Sequence, residues 1–253
     1  MTSTTLDPTN QPAAYDRSDT NPRTAAIIAG IGYVILFVFA VFANFVVREG
    51  LVVTDDAQAT ATNIAESEGL FRLGMASFLV ILLVDVVVAW ALYIVLRRAD
   101  RDVSLVAAWF RLVYTVFLGV ALIYFFQALQ FLSGSGFLES FDTAQREAQA
   151  LVALDTFNSA WLIGLAAFGV HLITLGGLIL RSGAAPKALG WVLTVAGAAY
   201  VIDTVAHSLL GNYTDYETAF IIMVAVPSVI AEGWMGLWLL FRAGKGVNEP
   251  SLR

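Results

Sequence analysis

Seven ionisable side chains lie inside stretches that are otherwise apolar: Asp85, Arg111, Asp155, His171, Asp203, His207 and Glu232. A charge at bilayer depth costs ~2.5–3.5 kcal/mol on insertion scales, so such residues usually face a bundle interior and take a partner. Depth can be counted at ~1.5 Å per helical residue from the basic residues that flank these stretches. Glu232 then lies about 15 Å in from Arg242, His171 about 15 Å from Arg181, Arg111 about 15 Å from Arg101 and Asp85 about 18 Å from Arg97. Four helices put a polar group at one level. Arg111 keeps its charge wherever it sits, so it needs a counter-ion, and Glu232 or Asp85 is the natural one. Tyr114, one turn from Arg111, completes a candidate inner cluster of Asp85, Arg111, Tyr114, His171 and Glu232. Pro227 stands five residues before Glu232, where it kinks the helix and frees a carbonyl for the same network.

A second, outer layer follows from one helical face on which Gly197, Tyr200, Asp203, Thr204 and His207 recur. Asp203 and His207 are four residues apart, which makes them a candidate general-base pair. Asp155 falls in the same zone, so Asp155, Tyr200, Asp203 and His207 form a candidate outer polar face.

Other chemistries are excluded by composition and depth. There is no cysteine, hence no disulfide, thiolate nucleophile or cysteine–zinc site. No lysine lies in an apolar stretch, which rules out a Schiff base there. His171 and His207 differ by ~15 Å in depth, too far for one haem, and Asp85 and Asp203 by about 6 Å, which argues against an aspartyl dyad. Neither a Walker loop nor a His-Glu-x-x-His motif occurs. No catalytic set, metal site or cofactor is read. The basic residues make no patch suited to a nucleic-acid backbone.

The elements that position these residues are set by hydropathy. Apolar residues make up 58% of the 253-residue chain and charged ones 13%, a surplus that a water-facing surface cannot carry. A span needs about 20 apolar residues, and six stretches qualify: 25–47, 71–96, 104–132, 151–180, 188–210 and 218–241. Each must be a helix, because lipid offers backbone groups no hydrogen bonds and runs this long lack the alternation of a barrel. The expected fold is an all-α, polytopic transmembrane bundle of six spans. Six spans put Arg17, Arg23, Arg97, Arg98, Arg101, Arg181, Lys187, Arg242, Lys245 and Arg253 on one side and only Arg48, Arg72 and Arg146 on the other. The positive-inside rule then predicts both termini in the cytoplasm. Nothing in the sequence sets an oligomeric state.

Residues 1–23 read as a disordered cytoplasmic tail, residues 24–243 as the membrane domain and 244–253 as a second cytoplasmic tail. Thr54-Asp55-Asp56 reads as a cap with first-turn acids, opening a short outer interfacial helix near 54–68 with Ala57, Ala61 and Ile64 on its apolar stripe. Asp142 with Gln145 resembles a capping box, which starts the fourth helix near Thr143, outside the membrane. Ser133-Gly134-Ser135-Gly136 reads as a flexible turn. Gly30/Gly32 and Gly176/Gly177 are small-residue pairs that allow close helix approach.

Several spaced features carry a family resemblance. They are Phe71-Arg72; Asp85 followed by Leu92-Tyr93; Arg111 with Tyr114; Phe168-Gly169 with His171, Leu175 and Gly176; Arg181-Ser182 with Pro186, Leu189 and Gly190; Gly197, Tyr200 and Asp203; and Glu232 with Trp238-Leu239-Leu240. From about Arg23 to Lys245 the chain resembles a family of bacterial integral membrane proteins known as a domain of unknown function. The resemblance implies a six-helix fold in the bacterial inner (plasma) membrane and no particular activity.

Three functional readings follow. In the first, the inner cluster binds or transports a small polar solute or protons. In the second, the chain is a non-catalytic accessory or sensing module whose buried ion pairs set helix register. In the third, it is a membrane-embedded enzyme using Asp203 and His207 in an outward cleft.

Overall fold

The computed structural model describes residues 20–244. Most of the two expected tails lies outside the described residues. Seven helices follow in order, and no strand occurs among the described residues. Helix α1 runs from Pro22 to Val41 and continues through a π-helical turn, Phe42–Arg48, into Glu49–Leu51. The others are α2 (Ala57–Glu66), α3 (Glu68–Leu96), α4 (Arg101–Ser133), α5 (Thr143–Ser182), α6 (Lys187–Leu209) and α7 (Glu217–Phe241). All but α2 are long and apolar enough to cross a membrane. The protein is a multi-pass membrane protein built on six helices.

Local sequence sets the helix ends. Asn21 accepts a hydrogen bond from the Arg23 N–H with Pro22 at the first helical position, and Asp100 caps α4. The Asp142/Gln145 capping box is complete, with both reciprocal bonds formed. Gly134 and Gly183 close α4 and α5 in the left-handed region. Helix α2 differs in detail from expectation. Its cap is Asp56, which accepts from the Ala59 N–H, and Asp55 precedes the helix in a turn at φ 61°. Its Ala61 and Ile64 are buried, and α2 packs on α5.

The six long helices form a closed ring. Each packs on the next in the sequence, and α7 returns to pack on α1. Glycines set the tightest approaches. Gly176 and Gly169 of α5 face Gly190 and Gly197 of α6 so closely that a β-carbon on any of them meets the opposite backbone carbonyl at 3.0 Å or less. Gly30 lies against Leu240 of α7 and Gly32 against Val88 of α3, so the two serve different neighbours of α1. Gly177 has nothing within 4 Å; it is not part of a packing pair.

Arg23 fastens the closure. Its guanidinium donates to the carbonyls of Leu239 and Ala243 at 3.0 Å each and to Leu240 at 2.5 Å. Leu239 and Leu240 lie in the last turn of α7 and Ala243 just beyond it, where carbonyls lack an intrahelical N–H partner, and a cation there also meets the negative end of the helix dipole. Arg23→Gln should cost about 1.5–3 kcal/mol, the range for bonds to a charged group. Earlier proteolytic release of α7 from purified protein is the check, and unchanged release would refute the role.

The apolar interior is two cores. One, towards the basic end, includes Ala29, Val88, Leu92, Leu172, Leu175, Leu193 and Met235 and draws on all six long helices. The other includes Val47, Ile64, Phe71, Phe78, Phe125 and Phe157, with no buried residue from α6 or α7. Phe125 stacks on Phe71 at 5.0 Å and meets Phe157 edge-on at 4.5 Å. Between the two cores lies a polar layer.

Candidate functional site

The polar layer is centred on Arg111, which is 1% exposed. Its Nε and Nη2 both donate to Asp85 Oδ1, at 2.9 and 2.5 Å, and Thr115 donates to Asp85 Oδ2 at 2.8 Å. The two charges thus sit in contact and cancel. Of the two expected counter-ions the structure selects Asp85. Nη1 donates to the Tyr33 hydroxyl at 3.2 Å and lies 3.3 Å from His171 Nε2. The guanidinium also lies over the rings of Tyr33 and Phe168, at 5.2 and 5.3 Å, which adds cation–π attraction.

His171 has one tautomer consistent with these contacts. Its Nδ1 is 2.8 Å from the Ala107 carbonyl, which only accepts, so Nδ1 carries the proton. Nε2 must then accept from Arg111. A second proton on Nε2 would face the arginine N–H. His171 therefore orients Arg111 and is unsuited to carrying protons.

Glu232 is placed differently. It is half-buried, forms no ion pair among the described residues, and has the Tyr200 hydroxyl as its near partner. Arg111 and Asp85 act on it only through space. One turn towards the acidic end, Ser228 is 4% exposed and its Oγ has no hydrogen bond, although Tyr200 lies beside it. From Glu217 to Pro227, α7 contributes no buried residue. Ser228 and Glu232 thus mark the start of the part of α7 that packs into the bundle.

Tyr114 accepts from the Trp161 indole at 3.4 Å and packs on Phe168 at 4.9 Å, which lines it up beside the layer. Tyr200, expected on the outer face, belongs instead with Glu232 and Tyr114 in the inner layer. Of the other outer residues, Asp203 and His207 meet at Tyr213, while Asp155 stands apart. Asp203 accepts from the Tyr213 hydroxyl at 2.7 Å, and His207 packs against the Tyr213 ring at 4.3 Å. Tyr213 occupies the place of a direct Asp203–His207 bond. Asp155 is exposed on α5, with Asp55 its near charge. No group of three or more metal-ligating side chains occurs among the described residues.

Two members of the layer escaped the sequence reading. Tyr33 stands about 16 Å along α1 from Pro22, at the level of the other four, but a tyrosine carries no formal charge to draw notice. Thr115 lies one turn beyond Arg111 on the same helical face, so its spacing was a usable signal, but like Tyr33 it carries no formal charge.

An uncharacterized protein of Archaeoglobus fulgidus is 29% identical over 168 residues, covering 66% of this chain and 82% of that one. No solved structure matches the chain. The family described as a domain of unknown function, DUF4386, matches residues 28–243, a stretch that includes every residue of the polar layer. The chain belongs to that family.

Proposed function

We propose that the protein binds or transports protons or a small polar solute, with Glu232 as the exchangeable group and the Asp85–Arg111 pair as its fixed support. One observation carries the reading: Glu232 is half-buried and lacks a cationic partner, in a layer whose other charges are paired. The layer is neutral without it. A carboxyl there must either take a proton or leave a negative charge that a solute can neutralise. The excess of basic residues at one end supports a cytoplasmic placement of both termini, with the acidic end facing outward.

Proteoliposomes enclosing a pH-sensitive dye test this directly. The expected result is an imposed pH gradient that decays faster with wild-type protein than with Glu232→Gln, both being folded and inserted. Equal decay for the two would reject proton exchange through Glu232. A counterflow assay with small labelled solutes then separates solute from proton.

A second reading, an accessory or sensing module, draws support from the completeness of the Asp85–Arg111–His171 hydrogen bonding. It predicts no flux in either assay and no loss of function in Glu232→Gln.

A further inference from the structure

At the acidic end, α2 and the adjoining ends of α4 and α5 border an open groove of about 420 Å³. Ala61, Ala65 and Leu132 give it an apolar wall, while Glu66, Arg146 and Glu147 bring three charges to it. Arg146 is the unusual member. Its guanidinium occupies the space where a β-carbon at Gly134 would be. Its one hydrogen bond is a long one, Nη2 to Thr143 Oγ1 at 3.3 Å, and its Nε is buried without any partner. It forms no ion pair among the described residues, although two glutamates line the same groove.

A guanidinium has five donors in a planar fork suited to an oxyanion and keeps its charge at any physiological pH. The terminal nitrogens of Arg146 line the groove with only that one long bond between them, which leaves them free to take an acceptor from outside. The two carboxylates are matched to a cationic group. We propose that this groove is a binding site for a zwitterion, with its oxyanion on Arg146 and its ammonium group between Glu66 and Glu147. This site is separate from the Glu232 layer and does not depend on the function proposed for it.

Two sources could supply that chemistry, a free solute such as an amino acid or the headgroup of a zwitterionic lipid. Leu132 and Arg146 lie about 47 and 53 Å along their helices from Arg101 and Arg181. A bilayer with its headgroups spans only ~40–45 Å. With the basic residues at one surface, the groove opens beyond the opposite headgroups, which favours a free solute.

Calorimetry on the full-length protein in detergent tests the assignment, with L-alanine and O-phosphoethanolamine as zwitterions and acetate and methylammonium as single-charge controls. Expected is saturable binding of at least one zwitterion and of neither control. Arg146→Lys, which keeps the charge but lacks the fork, should weaken it at least tenfold, the equivalent of one lost charge-assisted bond. Glu66→Gln with Glu147→Gln should weaken it as much through the ammonium. Comparing melting in nanodiscs of phosphatidylethanolamine and phosphatidylcholine then tells the sources apart. A higher melting temperature in the former with no L-alanine binding assigns the lipid; L-alanine binding without that shift assigns the solute. Absence of saturable binding, equal binding of the controls, or binding unchanged in folded Arg146→Lys overturns the proposal.

Discussion

Asp85→Leu is expected to destabilise the protein by about 3–5 kcal/mol, the usual cost of removing one partner from a buried ion pair. The reason lies in what is left behind. Arg111 is 1% exposed, so its guanidinium has no water to turn to, and two of its nitrogens would lose their acceptor together. The hydroxyl of Thr115 would lose its carboxylate as well. Adding Arg111→Met should restore most of the loss, since replacing both members of a buried pair with apolar groups is often close to neutral. A residue of about 1–3 kcal/mol should persist, because His171 Nε2 would then lack its donor. Glu232→Gln, with no ion pair to break, should shift stability by less than about 1 kcal/mol. Unfolding titrations in mixed detergent micelles measure all four proteins. A single Asp85→Leu variant as stable as wild type would show that the pair is not what holds the layer.

Gly176→Ala and Gly177→Ala should act in opposite directions although the residues are neighbours. At position 176 the new methyl group would meet the Gly190 carbonyl oxygen at 2.5 Å and the backbone nitrogen of Thr194 at 3.0 Å. Neither is a flexible side chain, so α5 and α6 must separate. Overpacking of this kind costs about 1–3 kcal/mol, and the backbone contacts point to the upper end. At position 177 the methyl group meets nothing within 4 Å, and the helix preference of alanine over glycine favours it by up to ~1 kcal/mol. Thermal melting of the two variants in one detergent is sufficient. Two shifts of the same sign would mean that the α5–α6 seam is looser than its geometry implies.

The contrast between those glycines shows what the sequence could and could not convey. Span number, the early start of α5 at Thr143 and the common depth of Asp85, Arg111, His171 and Glu232 were all legible, because hydropathy, capping and rise per residue are local properties. Which way a residue faces around its helix is not local. Asp85 and Glu232 were equal claimants on Arg111 by depth, and only the order of helices in the ring gives Arg111 to Asp85. Tyr200 lies about 20 Å from Lys187, between the two layers, so counting along the helix could assign it to either. The Asp203–His207 spacing suggested a pair, but Tyr213 arrives from the next segment to take the Asp203 carboxylate. The π-helical turn in α1 left no mark in composition at all.

The ring that ends with α7 resting on α1 also imposes an order in time. A ribosome delivers α1 first and α7 last, yet the two are neighbours, and Arg23 reaches for carbonyls at positions 239, 240 and 243. Throughout synthesis the first span therefore waits with one flank open to lipid, its Gly30 notch empty and its arginine unmatched. Glu232, too, enters the layer only after Asp85 and Arg111 have had the chance to pair. The ionisable group with the fewest ties is the last to be made, and it joins a charge-balanced interior already built without it.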